Sequence, residues 1–592
     1  MIETRQHLDA LRDAMRRVRV GAVIIPGTDP HQSEYVSDHW KFREWLTGFT
    51  GSNGTAVVTL DQAGLWTDSR YFLQAEAQLQ DSGFDLHREG IEGEATIEEW
   101  LVEVMGDENV IGIDGRLFST VEANRLENFC AENGFMLATD FFPADSIWED
   151  RPTRPTNPAF VHNESLAGET VDSKIDRVLE SIEAAGADGV FMASLDEIAW
   201  LFNLRGSDVQ YTPVTIAFAY VDKDNRILFI DEKKVTTEVS EHLNKYGIRV
   251  RAYDDVTHYL ERIKDYHTVM IDPTRISDAL SNAMQCQKIF ARSPIAAAKA
   301  IKNQVQIEGT RRAMERDGAA MVRLFKWIEE NSSNGINEID VWERYKQERK
   351  RMPNYVGDSF AMICGYREHG AIVHYQADSE SSSTLASEGL VLIDTGSQYL
   401  DGTTDVTRTV TLGNPTDDEK RDYTLVLKGH LALSAAKFPK GICGVNLDVL
   451  ARMPLWQHGM NFLHGTGHGV GHFLGCHEGP HSIRMQINPT ILEPGMITSN
   501  EPGVYKAGRY GIRIENLLLV TEGEHNDEFG EFLQFETLTL FPYDIRLLDR
   551  SLLSAEEIRQ INAYHALVRE RLLPLLDGED AQWLNAKTQE IK

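Results

Sequence analysis

Three stretches of the chain gather side chains able to hold cations. In VLIDTGSQYLDGTTDVTRTV (391–410), residues 391–393 and 406–410 read as strands, and Asp401-Gly402 supplies a turn. Folding near residues 399–400 sets Asp394 almost opposite Asp405, where cross-strand Cβ atoms lie roughly 5 Å apart. Two carboxylates so placed repel each other unless a cation sits between them; the plainer alternative is a pair of solvated turn aspartates. In SNEPGVYKAGRYGIRIENLLLV (499–520), folding about Gly508 brings Glu501 opposite Glu515. The run around Glu515 is apolar (Ile512, Ile514, Leu517, Leu518, Leu519), so this strand is buried, and a buried carboxylate must be paired or bind metal. Arg513 and Arg408 are the alternative partners. The third stretch, FLHGTGHGVGHFLGCHEGPHS (462–482), spaces His464, His468 and His472 at i, i+4, i+8. On a helix that is a zinc-like stripe, but Gly465, Gly467, Gly469 and Gly471 alternate through it and each disfavours helix by about 1 kcal/mol. The run reads as a loop or irregular strand whose backbone approaches a ligand closely.

Four carboxylates with one or more imidazoles suit a hard or borderline ion such as Mn²⁺, with Co²⁺ or Zn²⁺ as alternatives. Four are too many for one catalytic zinc and fit two ions about 3.5–4 Å apart bridged by carboxylates and water.

These residues need a scaffold, and the chain's punctuation outlines one. Pro143, Pro152, Pro155 and Pro158 mark a linker in 141–160, and a second break falls near 291–303. Just after it Ile307, Met314, Met321, Phe325 and Ile328 share a helical face, which predicts the opening helix of a domain. Before it, GAVIIP (21–26) with WLTGFTGS (45–52) is echoed by DGVFMAS (188–194) with WLFNLRGS (200–207). Two similar α/β domains with alternating strands and helices are the economical reading. The expected division is 1–155, 156–301 and 302–592, the last holding nearly all the candidate chemistry. Its tail carries a capping box at Ser554/Glu557, with Ile558, Ile561, His565 and Val568 along one helical face, and is assigned no catalysis.

Composition bounds the rest. With 592 residues, 59 Lys+Arg against 91 Asp+Glu leave a net charge of −32. That excludes a nucleic-acid binder, which needs clustered cations, and disfavours anionic membranes, while mildly favouring a peptide's free α-ammonium. There is no signal-peptide core and no 18-residue apolar run, and acids interrupt the early arginine cluster. Cys130, Cys286, Cys364, Cys443 and Cys476 form no CxxC pair, so neither a disulfide framework nor a zinc finger is expected. A cytoplasmic location is the expectation.

TDSRYFLQA (67–75), GAIVHY (370–375), DTGSQYLDGTTDVTRT (394–409), HGTGHGVG (464–471), HEGP (477–480), NEPGVY (500–505) and GIRIEN (511–516) together resemble the pita-bread metallopeptidases. More narrowly the chain resembles the long, three-domain aminopeptidase P group. The resemblance implies an α/β (α+β) chain of two creatinase-like domains followed by a pita-bread catalytic domain with a dinuclear centre. It places the metal ligands on Asp394, Asp405, His468, Glu501 and Glu515. Asp405 and Glu515 would bridge the two ions, Asp394 would complete one, and His468 with Glu501 the other. His374, His464 and His477 match the substrate-contacting histidines, and Arg70 a peptide-contacting arginine. The nine-residue interval from His468 to His477 agrees with the long form. Val504, the HSIR run (481–484) and His472 depart from the family pattern, and His472 is read as structural.

The activity so implied is removal of the N-terminal residue from peptides with proline second, by a metal-bridging hydroxide attacking the scissile carbonyl. Glu501 would take the water's proton and pass it to the leaving nitrogen; His464 or His477 would donate to the oxyanion, and His374 would position the peptide. The partners expected are peptides with a free N-terminus and a second copy in a homodimer, with neither nucleic acid nor membrane. The rivals are prolidase, which cuts only Xaa-Pro dipeptides, a non-catalytic peptide-binding module, and the metal-free creatinase type.

Overall fold

The structure is a computed structural model describing residues 2–106 and 108–592. The chain forms two compact units, one running up to residue 163 and from 169 to 296, the other comprising 164–168 and 297–592.

The first unit is a structural repeat. The apolar runs read above as strands, Ala22–Ile25 and Gly189–Met192, are buried at every position. Continuous rather than alternating hydrophobicity is what a strand covered on both faces requires. Each is an inner strand of a six-stranded sheet. Counted along the chain, the strands of both sheets lie in the order 4-3-2-1-5-6. The pairing senses match as well: 1 with 2 and 2 with 3 antiparallel, 3 with 4, 1 with 5 and 5 with 6 parallel. The two W-L motifs fall on equivalent helices, Phe42–Thr47 and Leu195–Leu201. The proline-rich segment is largely irregular, with one short helix, Pro143–Ile147. Each half has apolar cores of its own, built from residues between Leu8 and Trp148 in one and between Phe191 and Cys286 in the other. A bridge between Ser119 and Ser277 and the hydrogen bond from Thr120 N to Ile276 O tie the halves together.

The second unit opens with the expected helix, Gln304–Asn331, capped by Asn303 and Gln306. Met314, Met321, Phe325 and Ile328 are buried, with Ile307 partly so. Behind it a three-stranded antiparallel sheet places Leu390–Thr395 between Ile363–Tyr366 and Val406–Thr411. A second sheet pairs Ile497–Asn500 with Asn516–Asn526. The short ladder Gly503–Lys506 with Tyr510–Arg513 turns at Gly508, whose φ of 69° suits a residue without Cβ. The tail helix Ala555–Leu572 carries the capping box on Ser554 and Glu557 and buries Ile561, His565 and Val568. Among the described residues no helix is long and apolar enough to cross a membrane.

Candidate metal centre

The ligands proposed from sequence converge on the inner faces of these ladders. Asn500 pairs with Asn516 and Gly503 with Arg513, and that shared register puts Glu501 opposite Glu515 at the kink between the two ladders. The aspartate pair differs from expectation. Asp394 pairs with Thr407, and Ser397 and Thr404 exchange hydrogen bonds on the same register, so Asp405 falls opposite Gly396, two residues beyond Asp394. The tip is no simple turn, because Ser397–Tyr399 leaves to pair with Tyr355–Asp358. Beneath it a buried network holds the backbone. Asp317 accepts from Arg349, Ser397, Tyr399 and Thr404, and Arg349 Nη1 donates to Thr395 Oγ1 at 2.8 Å and Gly396 O at 3.0 Å.

The glycine run forms a short strand, Gly467–His468, paired with Ser482–Ile483 and bridged at Gly469 to Thr498. A Cβ on Gly467 would stand 2.1 Å from Ser499 O, and one on Gly469 2.1 Å from Glu478 O, so only glycine permits this approach. It delivers His468 Nε2 to 3.5 Å from Asp405 Oδ2 and 3.4 Å from Glu501 Oε1. Ligand atoms of Asp405, His468 and Glu515 all lie within 4.8 Å of one another. His472 is turned elsewhere, its Nε2 3.2 Å from Leu166 O.

Neighbours orient these groups, among them Arg513 and Arg408, the two arginines weighed as alternative partners. Arg513 Nη2 donates to Asp394 Oδ2 at 2.5 Å, while Nη1 reaches Tyr505 OH at 2.7 Å. The arginine thus pairs with Asp394, not with the glutamates that shared its hairpin. Arg408 binds backbone carbonyls of Glu515 and Phe541 and the Asn516 side chain. Thr407 Oγ1 donates to Glu515 Oε2 at 2.7 Å, and Ser499 Oγ to Glu501 Oε1 at 3.1 Å. Cys476, without an assigned role from sequence, has its Sγ 3.1 Å from Asp405 Oδ2. Nothing local in the sequence signals Cys476.

The electrostatics test whether divalent ions fit. Asp394 Oδ1 is buried and has no hydrogen-bond partner among the described residues. Burial, followed by the neighbouring carboxylates, pushes Glu515 well above the ordinary carboxylate range and Glu501 up to about 7. Burial also raises Asp394 despite Arg513. For Asp405 burial acts upward too, but His468 and His477 outweigh it and hold the carboxyl below its usual value. Burial lowers His468, yet Asp405 and Glu501 carry it up to about 9. Four acids crowded until some retain protons, with one oxygen unpartnered, is the signature of a site short of positive charge, and the oxygen-rich donor set suits two divalent cations. If these are the ligands, an arriving ion displaces protons from Glu515, Glu501 and His468. Metal affinity should therefore weaken as pH falls from 8 to 6, by about ten-fold per unit for each proton released. Titration calorimetry with Mn²⁺ at the two pH values checks this; a pH-independent constant would contradict it.

Two histidines lie in the same region, and the backbone just before a third is tied to it. The His477 ring stands edge-on to His468, centroids 4.5 Å apart. His464 lies with Nε2 2.8 Å from Tyr505 OH. His374 follows the short helix Arg367–Ala371, and the carbonyl before it, Val373 O, accepts from Arg513 Nη2 at 3.3 Å. Arg70 belongs to the first unit, where it forms a two-pronged pair with Asp68.

Comparison with known proteins agrees with this geometry. Two models described as the creatinase/prolidase N-terminal domain match residues 7–143 and 150–306. Metallopeptidase family M24 matches 308–522, and the C-terminal region of peptidase M24 matches 531–591. Aminopeptidase P2 of Arabidopsis thaliana is 40% identical, covering 97% of this chain and 86% of its own length. The chain belongs to metallopeptidase family M24. A probable Xaa-Pro aminopeptidase P of Fusarium vanettenii is 38% identical over 100% of both chains. The crystal structure of X-prolyl aminopeptidase from Caenorhabditis elegans, described as a cytosolic enzyme with a di-nuclear active site, superposes on this M24 chain with a TM-score of 0.96. It covers 100% of both chains at 33% identity. The Xaa-Pro dipeptidase of Bacillus anthracis shares only the fold, at 24% identity, a TM-score of 0.51 and 63% of this chain. This M24 chain is a metal-dependent peptidase built for two divalent ions, not a non-catalytic binding module.

Proposed function

We propose that the chain is an Xaa-Pro aminopeptidase, releasing the first residue from peptides with a free N-terminus and proline second. The reading is supported above all by the end-to-end match to X-prolyl aminopeptidase, whereas the dipeptidase neighbour spans only part of the chain. The proposed ligands are Asp394, Asp405, His468, Glu501 and Glu515, with Mn²⁺ favoured by their oxygen-rich set and Co²⁺ or Zn²⁺ as substitutes. When bound, such a pair of ions supplies a nucleophile at neutral pH and polarises the scissile carbonyl.

The chain's own groups do the rest. Glu501 receives the proton of the attacking water on its carboxylate and passes it to the proline nitrogen, which, as a tertiary amide, has no hydrogen of its own. Ser499 Oγ, 3.1 Å from Glu501 Oε1, orients that carboxylate. His464 or His477 donates to the carbonyl oxygen as charge develops on it. Tyr505 OH, 2.8 Å from His464 Nε2, holds that ring until the substrate takes its place. His374 and Arg70 contact the peptide. The segments 1–155 and 156–301 are two creatinase-like domains in this reading, and 302–592 is the catalytic domain. The assembly in this reading is a homodimer. A cytoplasmic location accompanies this reading.

The test is cleavage of an Xaa-Pro-Yaa tripeptide beside the matching Xaa-Pro dipeptide, with added Mn²⁺ and with chelator. The expected result is metal-dependent release of the first residue from the tripeptide. Cleavage of the dipeptide alone would mean a prolidase, and chelator-resistant turnover would overturn the metal assignment.

A further inference from the structure

Glu338 is fully buried at the first turn of the helix Glu338–Lys350, far along the chain from every ligand. Its carboxylate is nonetheless saturated by one segment. Tyr366 N donates to Oε1 at 2.8 Å, and His369 Nδ1 lies 2.9 Å from the same oxygen. Tyr375 OH donates to Oε2 at 2.9 Å, and Ser383 N at 2.8 Å. Hydrogen bonding to Glu338 raises His369 above its ordinary value, so the contact has ion-pair character. The His369 ring also stacks on Tyr375, centroids 4.4 Å apart.

The four donors bracket His374. Tyr366 ends the strand paired with the one bearing Asp394, and Tyr375 adjoins His374 in sequence. From the other side Gly370 lies against Gly511, where a Cβ would meet Gly370 O at 1.6 Å. The segment is clamped between these two supports, with Arg513 holding both Val373 O and Asp394.

We propose that Glu338 is a positioning residue for the reaction, fixing the 366–383 segment so that His374 is held at a set place beside the metal ligands. The inference rests on the reading of His374 as a substrate contact. A glutamine at 338 keeps the shape but turns an NH₂ toward donors that need an acceptor, and the segment loses its register.

The test is a double-mutant cycle on kcat/KM for an Xaa-Pro-Yaa peptide, using Glu338→Gln, His374→Ala and the pair. Glu338→Gln should lower kcat/KM by about 10- to 100-fold, the usual cost of misplacing a reacting group. Mn²⁺ affinity and the visible spectrum of the Co²⁺-loaded protein should stay as in the parent. In the His374→Ala background the same change should cost less than about two-fold. Should Glu338→Gln not fold, Tyr375→Phe removes one donor and should give a smaller loss that also vanishes beside His374→Ala. A full additional loss in the His374→Ala background, or an altered cobalt spectrum, overturns the proposal while leaving the His374 reading intact. Unchanged kcat/KM in His374→Ala alone overturns that reading and the proposal with it.

Discussion

Glu515→Gln should abolish peptide hydrolysis without weakening the ion-free protein. Glu515 is 1% exposed, receives Thr407 Oγ1, and faces Asp405, Glu501 and Asp394. Without ions, burial and those three acids keep it protonated well above the usual carboxylate pH. The folded state therefore holds a proton the unfolded chain has released, and stability falls as pH rises above the ordinary glutamate value of about 4.5. A glutamine removes that penalty while accepting the same hydroxyl. Denaturation under chelator should then find the variant within about 1 kcal/mol of the parent or more stable. With metal the balance would reverse, because a proposed ligand would have lost its negative charge. Activity should drop at least about 10³-fold, the equivalent of several kcal/mol of charge stabilisation. Metal content by plasma emission should fall below two ions per chain. A Glu515→Gln protein that keeps two ions and turns over near the parental rate would remove Glu515 from the ligand set.

Arg513→Met should have the opposite profile, a large stability cost read most clearly without metal. The guanidinium is 1% exposed and divides its donors among Asp394 Oδ2, Tyr505 OH, Val373 O and Thr407 Oγ1. Burial works against its charge, but Tyr505, Asp394 and Glu501 more than compensate and hold it above the ordinary arginine value. Removing it strands Asp394 among other acids, and breaking a buried pair from one side costs about 3–5 kcal/mol. Equilibrium denaturation at neutral pH with chelator should record a loss of that size. Adding Mn²⁺ should recover part of it, since an ion can face Asp394 in the arginine's place. Arg513→Lys, which keeps the charge without the planar fork, should fall in between. A chelated Arg513→Met protein as stable as the parent would mean that Asp394 does not depend on this pair.

The two hairpins differ in how readily they could be read from sequence. The turn about Gly508 joins strands whose apolar runs leave one sensible register, and Glu501 faces Glu515 as expected. The other hairpin reads as simply in the sequence, yet Asp405 is displaced by two residues because its tip is recruited by Tyr355–Asp358 and pinned by Asp317 and Arg349. Those partners come from other elements, and no local pattern announces them. The glycine run announced close backbone approach, but its partners, Ser482–Ile483 and Ser499 O, are fixed only by the tertiary fold. Cys476 and Tyr505 fall in the same class. Each looks unremarkable in the chain and gains its meaning from a contact across many residues. The doubled α/β pattern was legible because its inner strands are apolar throughout, and their runs repeat with the same companion motif.

That duplication has a bearing on how the polypeptide comes off the ribosome. The first half finishes its sheet by Ala138 and the second by Phe290, each around apolar cores drawn from its own stretch. Both can therefore collapse in turn during translation, as separate cooperative bodies. The proposed centre, by contrast, would need Asp394 and Glu515 together, so cleavage would wait at least until residue 515 has emerged, long after both sheets are complete.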